Sequence, residues 1–222
     1  MIGFPGRLRA LTILRSEVGY ADATSPVARS GIPPHLEILM KRYYLGTFLA
    51  ALAMFFWGAI FWMSPFPYRV LQHSPDDALA GAALLQHFPT SGTYMVPGKH
   101  NDAATLNRLH EKGPIAMVHI QTAGSPAVQP KALVLGFAHY WVCTLLAAFL
   151  TVRTSPVVRA SFGKRLWFFA LIGGIIAVFA DFSAPVWWGH PWPFHVVNAI
   201  YTVTVWLVGG LVLAALLKAE HE

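Results

Sequence analysis

The sequence is poor in charged residues and nearly free of cysteine. Asp, Glu, Lys and Arg make up 12% of its 222 residues, against about a quarter in an average soluble domain. The single cysteine, Cys143, excludes an intrachain disulfide, a CxxC redox motif and any metal site built from several cysteines. With 55% hydrophobic residues and a mean hydropathy of +0.51, the composition is typical of a membrane protein.

The sequence also lacks the common motifs of catalysis and nucleotide binding. No G-x-S-x-G, P-loop or GxGxxG motif stands in a usable context. The net charge of +6 is not gathered into a Lys/Arg-rich run with interleaved aromatics, so no nucleic-acid partner is expected. Whether the chain is an enzyme stays open, and the missing motifs favour a non-enzymatic role.

Four stretches are apolar enough to cross a bilayer, which takes about 20 residues. They cover residues 43–63, 132–152, 166–188 and 196–217, and only the third contains a charged residue, Asp181. The sequence therefore predicts an all-α membrane protein with four transmembrane helices. A small α/β extracytoplasmic cap is expected between the first and second of them.

The distribution of Lys and Arg predicts the orientation. Residues 1–42 hold six of them, the linker 153–165 holds four and no acid, and residues 189–195 hold none. Because cytoplasmic segments carry the excess of Lys and Arg, we expect the N-terminal arm, the basic linker and the tail 218–222 to lie in the cytoplasm. Residues 64–131 and the Trp/His/Pro loop 189–195 are then outside a bacterial inner membrane.

Two interpretations are open for the residues before the first apolar stretch. Either the first 39 residues are a loose cytoplasmic arm, or translation begins at Met40, which precedes a charged pair and an apolar run. The run is long and lacks a small-residue cleavage site. We therefore expect an uncleaved anchor, and not a removed signal peptide.

The 68 residues 64–131 are too many for a structureless connection. Their pattern predicts a helix, a strand, a second helix and a second strand, over residues 74–88, 93–96, 101–113 and 115–122. Ser74 is the expected N-cap of the first helix, and Asn101 or Asp102 that of the second, which Gly113 ends. The apolar content is too low for a large core, so we expect a cap of modest stability that rests on the transmembrane helices.

Asp181 is the leading candidate for a functional residue, because an ionisable group inside a transmembrane helix usually faces protein or water and has a partner. Asp181 and His139 each lie seven residues from the outer end of their stretch, which places both roughly 10 Å below the surface. Asn198, Tyr201 and Thr202 lie at this depth or nearer the surface. The five are expected to form one polar cluster, either as a packing hydrogen bond or as a ligand or proton-relay site.

The helical faces that carry these polar residues also carry small ones, which let membrane helices approach closely. The polar residues are therefore expected on the packed side; the small residues are Gly136, Ala147, Ala170, Gly173, Gly174, Ala177 and Gly209. Pro185 removes the backbone hydrogen bond to the carbonyl of Asp181 and is expected to kink or end the third helix.

The outer loop offers a second group of candidates. Trp187, Trp188 and Trp192 are typical of an aromatic belt at a membrane surface, and His190 and His195 lie beside them. Membrane b-type haem needs two histidines on different helices. No cofactor is predicted. Haem held between His139 and His195 is the one alternative that stays open. No histidine spacing indicates a metal site.

The segments SGTYMVPG and GPIAMVHIQ, followed by D-x-x-x-P-x-W-W-G-H-P, carry a resemblance. The chain resembles a loose group of uncharacterised bacterial four-span inner-membrane proteins over residues 41–217. The resemblance implies a four-helix bundle in the inner membrane and no particular activity. The disulfide-forming and vitamin K reductase families need cysteine pairs, and b561-type cytochromes need paired intramembrane histidines, which this sequence lacks.

These observations favour an accessory, assembly or scaffolding subunit of a bacterial membrane complex. Its expected partners are the lipid bilayer and other membrane subunits. One alternative is a small transporter or ligand-binding protein that uses His139 and Asp181. The other is a redox subunit that binds haem or quinone.

Overall fold

The computed structural model describes residues 34–217 and contains four helices that are long and apolar enough to cross a membrane. They are α1 (Pro34–Met63), α4 (Pro130–Arg153), a third helix over Phe162–Trp188, and α8 (Trp192–Leu216). The four predicted apolar helices are confirmed, and each is longer than its apolar stretch. Residues 34–42, expected to belong to a loose arm, extend α1. The rest of the arm and the tail 218–222 lie outside the described residues.

The third long helix is interrupted in its second half. It consists of α6 (Phe162–Ile176), a π-helical segment (Ala177–Asp181) and α7 (Ser183–Trp188). Pro185 lies within α7. The helix therefore continues past the proline, and the backbone adjusts in the turn before it.

α1 and α8 form the centre of the helical assembly, with α4 packed on α1 and α6 packed on α8. Glycines of α8 allow the close approaches: a Cβ on Gly209 would lie 2.6 Å from the sulfur of Met54, and one on Gly210 would lie 2.6 Å from the Cβ of Phe169. No comparable contact joins α4 to α6 within the described chain. The four helices thus pack in the order α4, α1, α8 and α6, and they share one cluster of buried residues.

The connection between α4 and α6 contains the short helix α5 (Pro156–Arg159) and a buried arginine. The side chain of Arg165 is only 1% exposed. Its Nε donates to the carbonyl of Ala214 at 2.8 Å, and its guanidinium also donates to the carbonyl of Arg159 at 2.6 Å. We call this the linker end of the helices. The opposite end, where α1 leads into residue 64, is called the loop end.

Residues 64–129, called the loop element, follow the predicted order of helix, strand, helix and strand. The elements are α2 (Asp77–His87), β1 (Gly92–Val96), α3 (Ala103–Lys112) and β2 (Ala116–Ile120). The two strands pair antiparallel, with Tyr94 opposite Val118. The sheet is therefore a hairpin that has α3 inside its connection.

The caps of α2 and α3 show which capping predictions were right. Asp76, and not Ser74, caps α2: its Oδ1 accepts from the N–H groups of Ala78 and Leu79, at 2.9 and 3.0 Å. The Ser74 hydroxyl instead donates to the carbonyl of Asp76. Asp102 caps α3, and Gly113 ends it, as predicted.

The loop element makes little contact with the long helices. Among the described elements, extended contact is confined to a short 3-10 turn, Pro67–Val70, which packs on α8. Neither α2, α3 nor the hairpin packs along a long helix. Extended contact between the expected cap and the long helices is therefore limited to this turn among the described elements, and Leu79, Leu84 and Leu85 of α2 stay exposed.

Candidate functional site

Asp181 ends the π-helical segment of the third long helix. In this segment the N–H of Phe182 donates to the carbonyl of Ala177, five residues back, at 3.2 Å. The Oδ2 atom of Asp181 is buried and has no hydrogen-bond partner in the part of the chain that the structure describes. Single-turn π segments are frequent at functional sites. Asp181 thus combines an irregular backbone with an unsatisfied carboxylate oxygen.

The structure does not bring His139 to Asp181. His139 lies on an exposed face of α4, where its Nε2 is 3.8 Å from the Sγ of Cys143. Since α1 and α8 lie between α4 and α6, equal depth along two helices does not make these residues neighbours. Among the described residues, no hydrogen bond joins Asp181 to His139, Asn198 or Thr202. The structure thus separates His139 from Asp181, whereas a cluster of Asp181 with Asn198 and Thr202 on the neighbouring α8 stays a prediction.

A different polar contact joins α4 to α8. The hydroxyl groups of Tyr140 and Tyr201 hydrogen-bond to each other. Both lie over Gly58 of α1, where a Cβ would be 2.8 Å from one hydroxyl oxygen and 3.2 Å from the other. Three long helices thus meet at two phenols and a glycine. Tyrosines in the middle of apolar stretches were the signal for this junction in the sequence.

Aromatic rings and a second polar contact surround the tyrosine junction. The ring of Tyr201 lies 5.0 Å from that of Phe61 and 5.3 Å from that of Trp62, measured between centroids. The indole N–H of Trp57 donates to the Thr204 hydroxyl at 3.0 Å. Trp57 therefore links α1 to α8.

The outer-loop candidates lie at the loop end, around a connection shorter than predicted. α7 ends at Trp188, and the next residue, Gly189, has a φ of 66°, the left-handed conformation that favours glycine. α8 already begins at Trp192. His195 is consequently inside α8, where its ring centroid is 5.6 Å from that of His190. The exposed indoles of this region, Trp187, Trp188 and Trp192, remain a predicted aromatic belt.

The haem hypothesis gains no support from these positions. His139 contacts Cys143 and Tyr140 of its own helix, whereas His195 contacts His190 and Phe194. No hydrogen bond or ring contact joins the two histidines within residues 34–217. No group of three or more His, Cys, Asp or Glu residues in that range is arranged to hold a metal ion.

A long apolar groove runs along the surface of α6 and α7. Its volume is about 1190 Å³, and its lining extends from Gly163 to Trp187, with Val203 and Leu207 of α8 along one side. Gly163 and Gly174 lie in it, and a Cβ on either would meet no atom within 4 Å. These two glycines are therefore not required by the packing seen here, in contrast to the glycines of α8.

A smaller pocket of about 340 Å³ adjoins the groove at the linker end. It is lined by Val157 and Val158 of α5 and by the first turns of α6, including Lys164. Gly163, Trp167 and Leu171 line both cavities, so the groove and the pocket are continuous.

Comparison with known proteins adds no relative from which a site could be transferred. No protein-family model, curated protein or solved structure matches the chain.

Proposed function

We propose that the chain is a multi-pass protein of a bacterial cytoplasmic membrane that serves as an accessory, assembly or scaffolding subunit. Four helices of sufficient length and hydropathy support the membrane assignment. The excess of Lys and Arg in the linker 153–165 supports a cytoplasmic linker end. The loop element then lies on the extracytoplasmic side of the membrane, and Trp187 and Trp192 lie at the membrane surface on that side.

The observation that carries the subunit proposal is the uncovered helix α2. All its residues except Ala80 and Gly81 are exposed, and Leu79 is 69% exposed. Leu84 and Leu85 are also exposed on this helix. Apolar side chains of this size are normally covered, and an uncovered group of them marks an interaction site. Because no long helix or strand of the described chain packs on α2, a partner protein is the proposed cover.

The partner is expected to bind through these leucines, so the test replaces them. The double variant Leu84→Glu/Leu85→Glu is compared with Gln86→Glu, which adds charge to the same helix without removing an apolar side chain. The full chain is cross-linked in its native membrane, extracted in mild detergent and analysed by mass spectrometry. A partner band present in wild type and in Gln86→Glu, and lost in the double variant, supports the proposal.

A chain that elutes alone and cross-links to nothing contradicts the subunit proposal. So does a partner band that the double variant retains. Circular dichroism of both variants checks that α2 is intact, and no change is expected because its side chains support no internal packing.

The unpartnered oxygen of Asp181 favours one second function, the binding or passage of a cation or proton. The melting temperature of the full chain is measured in sodium and potassium salts over a range of pH, for wild type and Asp181→Asn. A cation or pH dependence that Asp181→Asn abolishes supports this function. Identical dependence in the two proteins contradicts it, and a variant that does not fold assigns Asp181 to packing.

A further inference from the structure

The linker end of α6 combines an apolar groove with positive charge. The groove and the pocket are continuous there, and the exposed residue Lys164 contributes to the rim of the pocket, whose wall is mostly apolar. The linker 153–165 carries four basic residues and no acidic one. An occupant of this site therefore meets hydrocarbon-like walls on one side and cations on the other.

Two of the nearby arginines have different roles. Arg165 is buried and donates to the carbonyls of Ala214 and Arg159, so it holds the end of α5 against the start of α6. The Nε of Arg159 is buried and has no hydrogen-bond partner among the described residues. A buried donor without an acceptor is costly. Arg159 lines neither cavity as it stands, and an anion beside Lys164 would supply the acceptor once this side chain turns toward the start of α6.

The start of α6 adds backbone donors to the same place. We call the end of α5 and the first turn of α6, residues 159–165, this corner. Ser161 caps the helix by accepting from the N–H of Lys164 at 3.4 Å, and the N–H of Arg165 donates to the carbonyl of Ser161. The N–H groups of Phe162 and Gly163 precede these bonds in the first turn, where a helix carries partial positive charge. Gly163 has no side chain to obstruct them.

We propose that this corner binds one anionic phospholipid, with its phosphate at Lys164 and Arg159 and its acyl chains in the groove along α6. The distance along the helix from Gly163 to Gly174 is about 16 Å, close to half of a bilayer core of about 30 Å. The inner half of the groove thus fits the chains of one leaflet. A partner helix would fill the apolar groove equally well, but it would leave the cations without a counter-charge.

Phosphatidylglycerol and phosphatidylcholine test the proposal, because they differ in net charge and share acyl chains. The full chain, delipidated in detergent, is mixed with each lipid and examined by native mass spectrometry. The expected result is one phosphatidylglycerol retained in preference to phosphatidylcholine. Each basic residue near a membrane surface contributes about a fivefold change in affinity. Lys164→Gln and Arg159→Gln should therefore each weaken retention about fivefold.

Matched control variants distinguish binding at this site from nonspecific electrostatic binding of an anionic lipid to the protein. Lys131→Gln removes an exposed lysine at the other end of α4 and should leave retention unchanged. Gly163→Leu fills the junction of groove and pocket and should reduce retention, whereas Gly124→Leu, an equally open glycine of the loop element, should not.

Three outcomes would overturn the lipid site: equal retention of the two lipids, equal loss in Lys131→Gln and Lys164→Gln, or unchanged retention in Gly163→Leu. A protein or second copy displaced by Gly163→Leu while lipid retention is unchanged would assign the groove to a helix instead. The thermal melting of every variant is recorded. Lipid retention by Arg159→Gln is interpreted only if this variant melts as wild type does, because Arg159 is partly buried. Lys164 is exposed, so Lys164→Gln tests the role of charge independently.

Discussion

The long helices and the loop element are built on opposite principles. The long helices are joined by close approaches over glycine, by buried threonines such as Thr144, which donates to the carbonyl of Thr47, and by one buried arginine. In the loop element, α2 and α3 contain no buried residue. It keeps its shape through side-chain caps and the pairing of two short strands. Substitutions should therefore act on global stability in the first region and only locally in the second.

The largest effect is expected at Arg165. Arg165→Ala leaves the carbonyls of Ala214 and Arg159 without their charged donor, which should lower the free energy of unfolding by about 3 kcal/mol. Unfolding of the purified protein in detergent measures this change. Arg42→Ala, an exposed arginine at the start of the first apolar stretch, is the control and should be nearly neutral. Similar stabilities of the two variants would remove Arg165 from the structural core.

A smaller effect should separate two glycines of the long helices. Gly210→Ala places a methyl group 2.6 Å from the Cβ of Phe169, which cannot rotate away, so α6 and α8 must separate. The expected cost is about 2 kcal/mol. Gly174→Ala meets no atom within 4 Å and should be neutral or stabilising by up to about 1 kcal/mol, because alanine favours helix.

The same unfolding assay compares the two glycine variants. Equal destabilisation by both would show that Gly174 is packed as tightly as Gly210 in the purified protein. It would thereby break the distinction between packed and open glycines.

The smallest effect belongs to Asp102 and should be confined to α3. The N–H of Thr105 donates to its Oδ1 at 3.0 Å and holds the pKa of this carboxyl below its usual value. A lowered pKa in the folded state means that the cap is fully effective above the usual carboxyl range and is lost as pH falls through the lowered pKa. Amide exchange in α3, corrected for its intrinsic rate, should therefore accelerate only as the pH falls below the usual carboxyl range.

Two variants test the origin of this pH dependence. Asp102→Asn keeps an acceptor oxygen that does not titrate, so α3 should stay protected at low pH. Asp102→Ala should exchange rapidly at every pH. Acid sensitivity that persists in Asp102→Asn would show that another group causes it. No change in the melting of the long helices is expected for either variant.

The contrast also explains how far the sequence could predict the fold. Length and hydropathy determine whether a segment suits a membrane, so all four long helices were predicted. Caps and turn residues act over a few positions, so Asp102, Gly113 and the order of the loop element were predicted as well. Ser74 was assigned wrongly because two neighbouring side chains, Ser74 and Asp76, could each cap α2, and only the backbone path decides between them.

The candidate site was less predictable, because it depends on which helices are neighbours. The position of each residue along its helix predicts that His139 and Asp181 lie at the same depth. The order of the helices in the sequence does not predict that α4 packs on α1 and makes no extended contact with α6. The tyrosine junction depends on the same information. Small residues predicted that helices approach closely, and the structure distinguishes Gly173, which faces Trp206, from Gly174, which is open.

The bond from Arg165 to Ala214 has a consequence for biosynthesis. The donor precedes its acceptor by 49 residues, and the connection between α7 and α8 is only Gly189–Pro191. While the ribosome is still producing α8, the guanidinium has not yet met the carbonyl of Ala214. If the chain inserts into a membrane as proposed, its last two apolar helices should consequently assemble as a pair, because α8 supplies one of the acceptors of Arg165.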